Sequence, residues 1–575
     1  MEGNGGENDE PCGRQRETAL CVGDMPEKAA LPPETNKLRK DDSMKTKSVV
    51  IPVALGVLCF AAPCAEACTT AIVTRAASAD GSAYVTHSND AFSSDPNIVF
   101  VPAKDHPAGS MRPVYPCAIA WDELPEYECY ENPRLVAPER AEAYNYPDKK
   151  RTKPLGKIPE VAHTYAYIDG DYAVMNEHGL MLGECTNNSA RLEYLEPKEG
   201  HGIFYASELG RVALERCRTA REAIRLMGEL IDEYGLWGTG ETLLVADKDE
   251  GWVLEMQPTP TGKGGFWIAQ RVPDGEFFVA ANQFRIRAIR PGDPDQICNP
   301  RLPEMLKEAG WAAYDKKGNM DWVRSMQAVE DYHPYFSLRR VWRALSLVAP
   351  SKKLPAKAND WDTDAYPFSV RPDHPLTLAE IMELHRDAYE GTPFDRRSGT
   401  GAGLFASPYR YGDATWERSI TSRNIAYTWI TQANDGLPCP VFWLSMNAPA
   451  ESVYIPFAVA PLPEAYEKAD RTKFDLTKAW WISQQVTLLT RGYYSALSPT
   501  VRNAAHEWER RSMDLLASSR GQSADAFAQS LRNNAVQVLS DWRELHGRLL
   551  ADNDGDRRLD YDDAHRPKAD KFESY

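Results

Sequence analysis

Cys68 directly follows Ala65-Glu66-Ala67, an A-x-A pattern of the kind cut by signal peptidase. A cut there makes Cys68 the first residue of the mature chain and gives one residue two working groups. The thiol is a nucleophile. The freed α-amine has an ordinary pKa of about 7.7–8.0, so part of it is neutral near pH 7 and can take the thiol proton directly or through a water. Before the cut the same nitrogen is an amide and is no base. The chemistry implied is covalent attack on a carbonyl, which needs no metal and no organic cofactor.

The residues upstream support that cut. Met44-Lys45-Thr46-Lys47 is a short basic segment, and an apolar run follows from Val49 to Ala62. A run of about 14 residues is too short to span a bilayer, which needs ~20, but it suits the core of a signal peptide. Residues 44–67 are therefore read as a signal peptide, with signal peptidase as the maturation partner and no stable membrane anchor. The position three before Cys68 is Ala65 rather than Leu, which argues against a lipoprotein. Residues 1–43 are rich in Gly, Glu, Asn, Lys and Pro with no apolar period. They read as a disordered extension or a mis-assigned start. The expected location is outside the cytoplasm, periplasmic or extracellular.

Composition narrows the partners. The chain has 575 residues, is 43% hydrophobic and carries a formal charge of -17. That is globular composition with an acidic balance, which repels nucleic acid.

The elements that would position Cys68 follow from local pattern. Cys68-Thr69-Thr70-Ala71-Ile72-Val73, Ala79-Asp80-Gly81-Ser82 and Tyr84–Asp90 read as strand, Asp-Gly turn and strand. A helix is expected over Tyr205–Arg216, and Thr219-x-x-Glu222 opens a second with a capping box. Strands are expected at Thr242–Asp247 and Trp252–Met256. Trp267–Val272 and Phe277–Ala281 flank Pro273-Asp274-Gly275 as a further hairpin. Strand pairs alternating with helices indicate an α+β layered domain. Residues 350–376 read as a surface connection. After about 475 the chain is mostly helical, with an amphipathic run over Ala517–Leu550 and a polar end from Asp552.

Cysteines of the mature chain fall at 68, 117, 129, 185, 217, 298 and 439. Export permits disulfides, and Cys117–Cys129 is the favoured pair. Cys185 and Cys217 lie in strand- or helix-like runs and read as buried thiols. No C-x-x-C or H-x-x-x-H spacing argues for structural zinc.

The order C-T-T, D-G-S and a downstream Asp90 resembles the start of the dipeptidase A family. These are N-terminal-nucleophile (Ntn) cysteine peptidases, related to secernins and more distantly to penicillin V acylase and bile salt hydrolase. Asn176-Glu177-His178-Gly179, Gly183-Glu184-Cys185-Thr186-Asn187, Ala281-Asn282-Gln283-Phe284-Arg285-Ile286, Glu417-Arg418-Ser419-Ile420 and Ala479-Trp480-Trp481 continue the match in order. The resemblance implies a four-layer αββα Ntn-hydrolase sandwich over 68–475 with a helical C-terminal region, 476–575. It implies dipeptides or small peptides as substrates. Cys68 is then the nucleophile, Asp90 holds its α-amine, and Asn282 donates to the oxyanion, with Thr186 or a backbone N–H as the alternative donor. Arg418 becomes a late-chain cation near the site. The wider superfamily has Arg-x-x-Asp on the second strand, where this chain has His87-Ser88-Asn89-Asp90. His87 thus stands in the place of a cation. An N-acyl amidase or acylase of the same superfamily, and an exported binding protein without catalysis, are the alternative functions.

Overall fold

The computed structural model describes residues 68–90, 95–116, 135–187, 189–330, 335–358, 360–409, 417–471 and 473–554. The signal segment, the extension before it, Cys117, Cys129 and the polar end from 555 lie outside the described residues.

Short apolar runs bounded by glycine turns become strands of two antiparallel sheets. One runs, edge to edge, β16 (Ser369–Val370), β14 (Phe277–Ala280), β1 (Thr70–Val73), β2 (Ala83–Asn89), β17 (Tyr427–Ala433), β18 (Val441–Met446) and β19 (Ile455–Ala458). The other runs β15 (Gln296–Cys298), β13 (Gly265–Val272), β12 (Gly251–Pro258), β11 (Gly240–Ala246), β10 (Met181–Asn187), β9 (Met175–Asn176), β8 (Tyr167–Asp169) and β3 (Val99–Val101). Two small ribbons pair β4 (Lys104–Asp105) with β7 (His163–Thr164) and β5 (Met111–Val114) with β6 (Gly156–Pro159). The fold class is α+β, as the alternation of patterns indicates.

The two sheets meet face to face through β1, β2 and β17 against β10 and β11. They approach closely because Gly183 has no side chain: a Cβ there would sit 2.5 Å from Thr70 Oγ1 and 2.8 Å from the Thr86 carbonyl. Ile72, Val85, Leu182, Leu244 and Trp429 are buried in the same core.

Helices cover what the sheets leave open. The helices α1 (Ala206–Arg216) and α2 (Ala220–Tyr234) pack on β11, and α2 also on β12 and β13. The expected capping box of α2 is present, Thr219 with Glu222. Two shorter helices, α3 (Leu302–Glu308) and α4 (Trp322–Met326), close a small core of their own around Phe284 and Ile286. The helices α5 (Leu338–Val348) and α6 (Leu378–Arg386) share a core with Ala71, Val73 and Tyr84, the opposite face of β1 and β2. The last three, α7 (Ala479–Gly492), α8 (Tyr494–Ser518) and α9 (Ala524–Asp554), return to the sheet. Here α7 touches β18 and α9 lies on β19, burying Val538 and Trp542. The amphipathic run expected from Ala517 starts later, at Ala524, because α8 claims residues up to Ser518.

Two expectations are corrected. Trp267–Val272 and Phe277–Ala281 do not form a hairpin across Pro273-Asp274-Gly275. The first segment pairs with β12 and β15, and the second with β1 and β16. The turn carries the chain from one sheet to the other, and Glu276 exchanges main-chain and side-chain hydrogen bonds with Thr74 instead. Residues 350–376 are also not pure connection, since Ser369–Val370 adds an edge strand.

Candidate active site

Register places the ends of three strands together. The pairing of β1 with β14 sets Thr70 opposite Ala280, and that of β1 with β2 sets Thr70 opposite His87. Continued two residues outward, the first register brings Cys68 level with Asn282 and the second brings it level with Asn89. The segment is pinned there: Thr69 N–H donates to Ser88 Oγ at 3.0 Å, and the Thr69 carbonyl accepts from Ser88 N–H at 3.1 Å.

The main chain of Cys68 is held by a residue from far along the sequence. Arg340 of α5 donates from one guanidinium nitrogen to the Cys68 carbonyl at 2.9 Å and to Thr69 Oγ1 at 3.0 Å. Its other terminal nitrogen donates to Asn282 Oδ1 at 2.6 Å and to the Ala281 carbonyl at 3.4 Å. Arg340 is fully buried, and burial, with Arg418 nearby, brings its pKa down to about 10. It remains a cation at neutral pH.

Asn282 adopts a left-handed backbone with φ of 64°, a conformation that Asn tolerates better than most residues. Its Nδ2 donates to the Thr186 carbonyl at 2.5 Å and its backbone N–H to Cys185 Sγ at 3.3 Å. Thr186 Oγ1 in turn donates to Glu184 Oε1 at 2.9 Å. Asp90 is buried: Arg418 donates to its Oδ2 at 2.8 Å and Asn424 to its carbonyl at 2.9 Å. Asp90 Oδ1 is buried with no hydrogen-bond partner among the described residues. Burial raises the Asp90 carboxyl, while Arg418 and Arg340 pull it back down.

His87 does not act as the missing cation. Burial lowers its pKa to about 3, so the imidazole is neutral. Its ring stacks on Trp429 with centroids 4.1 Å apart. Strand β9 reaches β10 only at Met181, and His87 Nδ1 meets the main chain of Glu184 further along β10, 2.8 Å from the carbonyl and 3.2 Å from the N–H. The 3.9 Å approach of His87 Nδ1 to Glu184 Oε2 is accordingly not an ion pair. The buried positive charge beside Cys68 comes from Arg340 on α5 instead.

The Cys68 thiol is 1% exposed. Burial pushes its pKa up, Glu184 and Asp90 push it further, and a hydrogen bond from the Asp90 backbone works the other way. Such a thiol becomes nucleophilic only when a base stands in contact with it.

All six residues singled out in the sequence lie in this network: Cys68, His87, Asp90, Thr186, Asn282 and Arg418. Arg340 and the carboxylate of Glu184 were not singled out. Arg340 lies in Leu338-Arg339-Arg340-Val341-Trp342-Arg343, where three arginines look alike, and nothing in the spacing says which one reaches Cys68. Glu184 sits inside a recognised motif with no sign that its side chain faces the nucleophile.

A buried cysteine, an Asn and an Arg–Asp pair thus meet where β1, β2 and β14 end. The family model of peptidase family C69 matches residues 137–507, and the chain belongs to that family, in line with the order of its motifs. The matched stretch begins downstream of Cys68. A probable dipeptidase of Latilactobacillus sakei is 24% identical over 505 residues, covering 84% of this chain and 94% of the relative. A probable dipeptidase B of Streptococcus pyogenes serotype M1 is 23% identical over 433 residues, covering 72% and 77%. A probable dipeptidase of Salmonella dublin is 24% identical over 408 residues, covering 68% and 80%.

Proposed function

We propose that the protein is an exported cysteine dipeptidase, periplasmic or extracellular, with Cys68 as the first residue after removal of the signal peptide and its α-amine as the base. The fold is then the four-layer αββα sandwich of Ntn hydrolases. The observation that carries the reading is Arg340, which holds the Cys68 carbonyl and the Asn282 side chain in one fork. The nucleophile and the candidate oxyanion donor are thereby fixed relative to each other before substrate arrives.

Cys68 Sγ attacks the peptide carbonyl and passes its proton to the α-amine. Asp90 Oδ1, buried and without a hydrogen-bond partner among the described residues, accepts a hydrogen bond from the resulting ammonium, while Arg418 fixes Oδ2. Asn282 Nδ2 has a second hydrogen for the oxyanion, since only one is used on Thr186. The C–N bond breaks, the ammonium protonates the leaving amine, and a thioester remains. Water attacks the thioester, the α-amine takes its proton, and the acid leaves with the thiol restored. A thiol raised by burial and two carboxylates needs this contact base.

The test is hydrolysis by protein shown by N-terminal sequencing to begin at Cys68. Dipeptides are expected to be cleaved, with a loss on the order of 10³-fold or more in Cys68→Ala or after acetylation of the N-terminus. Turnover confined to N-acyl amino acids would place the protein among acylases. Dipeptide turnover that survives both changes would sink the mechanism.

A further inference from the structure

Three side chains far apart in sequence meet beside the nucleophile. Cys68 precedes β1, His87 lies in β2 and Glu184 in β10. One sulfur, one imidazole nitrogen and one carboxylate oxygen from these residues lie within 4.8 Å of one another, all buried. Nδ1 of the imidazole is engaged by the Glu184 main chain. Its Nε2 is buried with no hydrogen-bond partner among the described residues. In the tautomer that donates from Nδ1 to the Glu184 carbonyl, the shorter of its two main-chain contacts, Nε2 carries a lone pair, the usual arrangement of a metal-binding imidazole.

Charge points the same way. Ionised, the Cys68 thiol and the Glu184 carboxyl put two negative charges in one dry space, and each makes the other costlier. A divalent cation cancels both. Thiolate, imidazole and carboxylate together select zinc or cadmium over magnesium or calcium, which prefer all-oxygen sites. No chain spacing reveals this set, because each ligand comes from a different strand or strand end.

We propose that the protein binds one thiophilic divalent cation, zinc or its cadmium surrogate, through Cys68, His87 and Glu184, and that the ion reversibly blocks the nucleophile. The metal–sulfur bond forms as the thiol proton leaves to solvent. The blocking half rests on Cys68 being the nucleophile of the proposed dipeptidase; the binding half does not.

Cadmium titration of the protein, followed by the ultraviolet sulfur-to-cadmium charge-transfer band, tests binding without turnover. A Cys68-dependent band of one ion per chain is expected. It should vanish in Cys68→Ala and persist in Cys185→Ala. Affinity should fall on the order of 10–100-fold in His87→Gln and in Glu184→Gln. A band unchanged in Cys68→Ala, or wild-type affinity in both ligand variants, overturns the site. Should either variant fail to fold, zinc protection of wild-type Cys68 from iodoacetamide decides, and absence of protection overturns the proposal. Zinc should also inhibit dipeptide hydrolysis, with recovery on adding EDTA; full activity at zinc levels that protect Cys68 would overturn the blocking half. An inactive protein that still shows the band counts against the dipeptidase reading and in favour of the site.

Discussion

Arg340 donates to Asn282 Oδ1 at 2.6 Å while the same guanidinium reaches the Cys68 carbonyl at 2.9 Å. This bond settles which way the amide of Asn282 faces. With Oδ1 turned to the guanidinium, Nδ2 is left to face the Thr186 carbonyl. A planar fork with five donors can span both acceptors, and an ammonium cannot.

Arg340→Met and Arg340→Lys should therefore lower kcat on the order of 10²-fold, the usual cost of losing an oxyanion donor, with a smaller change in KM. Each buried acceptor left without a donor should also cost about 1–3 kcal/mol of stability. Steady-state kinetics beside urea unfolding checks this. A Met variant with wild-type kcat would show that Asn282 needs no such anchor.

Arg418 and Asp90 form a pair with side chains 6% and 1% exposed, so its breakage is not softened by solvent. Arg418→Ala leaves a buried carboxylate with its main charge partner gone and should destabilise by about 3–5 kcal/mol. Asp90→Asn should be milder for folding and more damaging for activity. The double variant should lose less stability than the two single losses added, as coupled neighbours do. Simple additivity in urea unfolding would mean that the two side chains do not depend on each other.

His87 and His385 are both fully desolvated, and burial brings each pKa to about 3. In the unfolded chain each titrates near ~6.5. Between those values the unfolded state holds protons that the folded state refuses, so stability falls as pH drops from about 6.5 toward 3. His385→Gln should remove one such proton. Urea midpoints measured at about pH 7 and about pH 5 should differ less in His385→Gln than in wild type. Equal differences would mean that His385 takes up its proton while folded.

One substitution should have opposite signs at two glycines. At Gly183 a methyl group would collide with Thr70 Oγ1 and with the Thr86 carbonyl, whose backbone cannot move away cheaply. Gly183→Ala should destabilise by about 1–3 kcal/mol and depress activity, because Glu184 and Cys185 follow it directly. At Gly547, inside α9, nothing lies within 4 Å of the new carbon. Gly547→Ala should stabilise by about 1 kcal/mol through helix propensity. Thermal unfolding of both variants checks the pair, and a neutral Gly183→Ala would mean that the sheets can part without cost.

Features that depend on near neighbours are legible in the chain. Thr219 and Glu222 cap α2 because the box needs only a residue and its third follower. Gly81 and Gly179, with φ of 73° and 80°, close the turns that Asp80-Gly81 and Asn176-Glu177-His178-Gly179 announce. The motif order also pointed to Cys68, His87, Asp90, Thr186, Asn282 and Arg418, which the fold does gather. Tertiary structure alone decided which strands share a sheet. The turn at Pro273-Asp274-Gly275 has hairpin chemistry, yet its two strands part because β14 pairs with β1 across some two hundred residues of chain. It alone decided that Arg340, and neither of its neighbours Arg339 and Arg343, reaches Cys68, and that Glu184 and His87 stand beside the same sulfur. Turn and cap chemistry is local and repeats along any chain. The partner of a buried charge is set by sheet order and register, which belong to the folded chain as a whole.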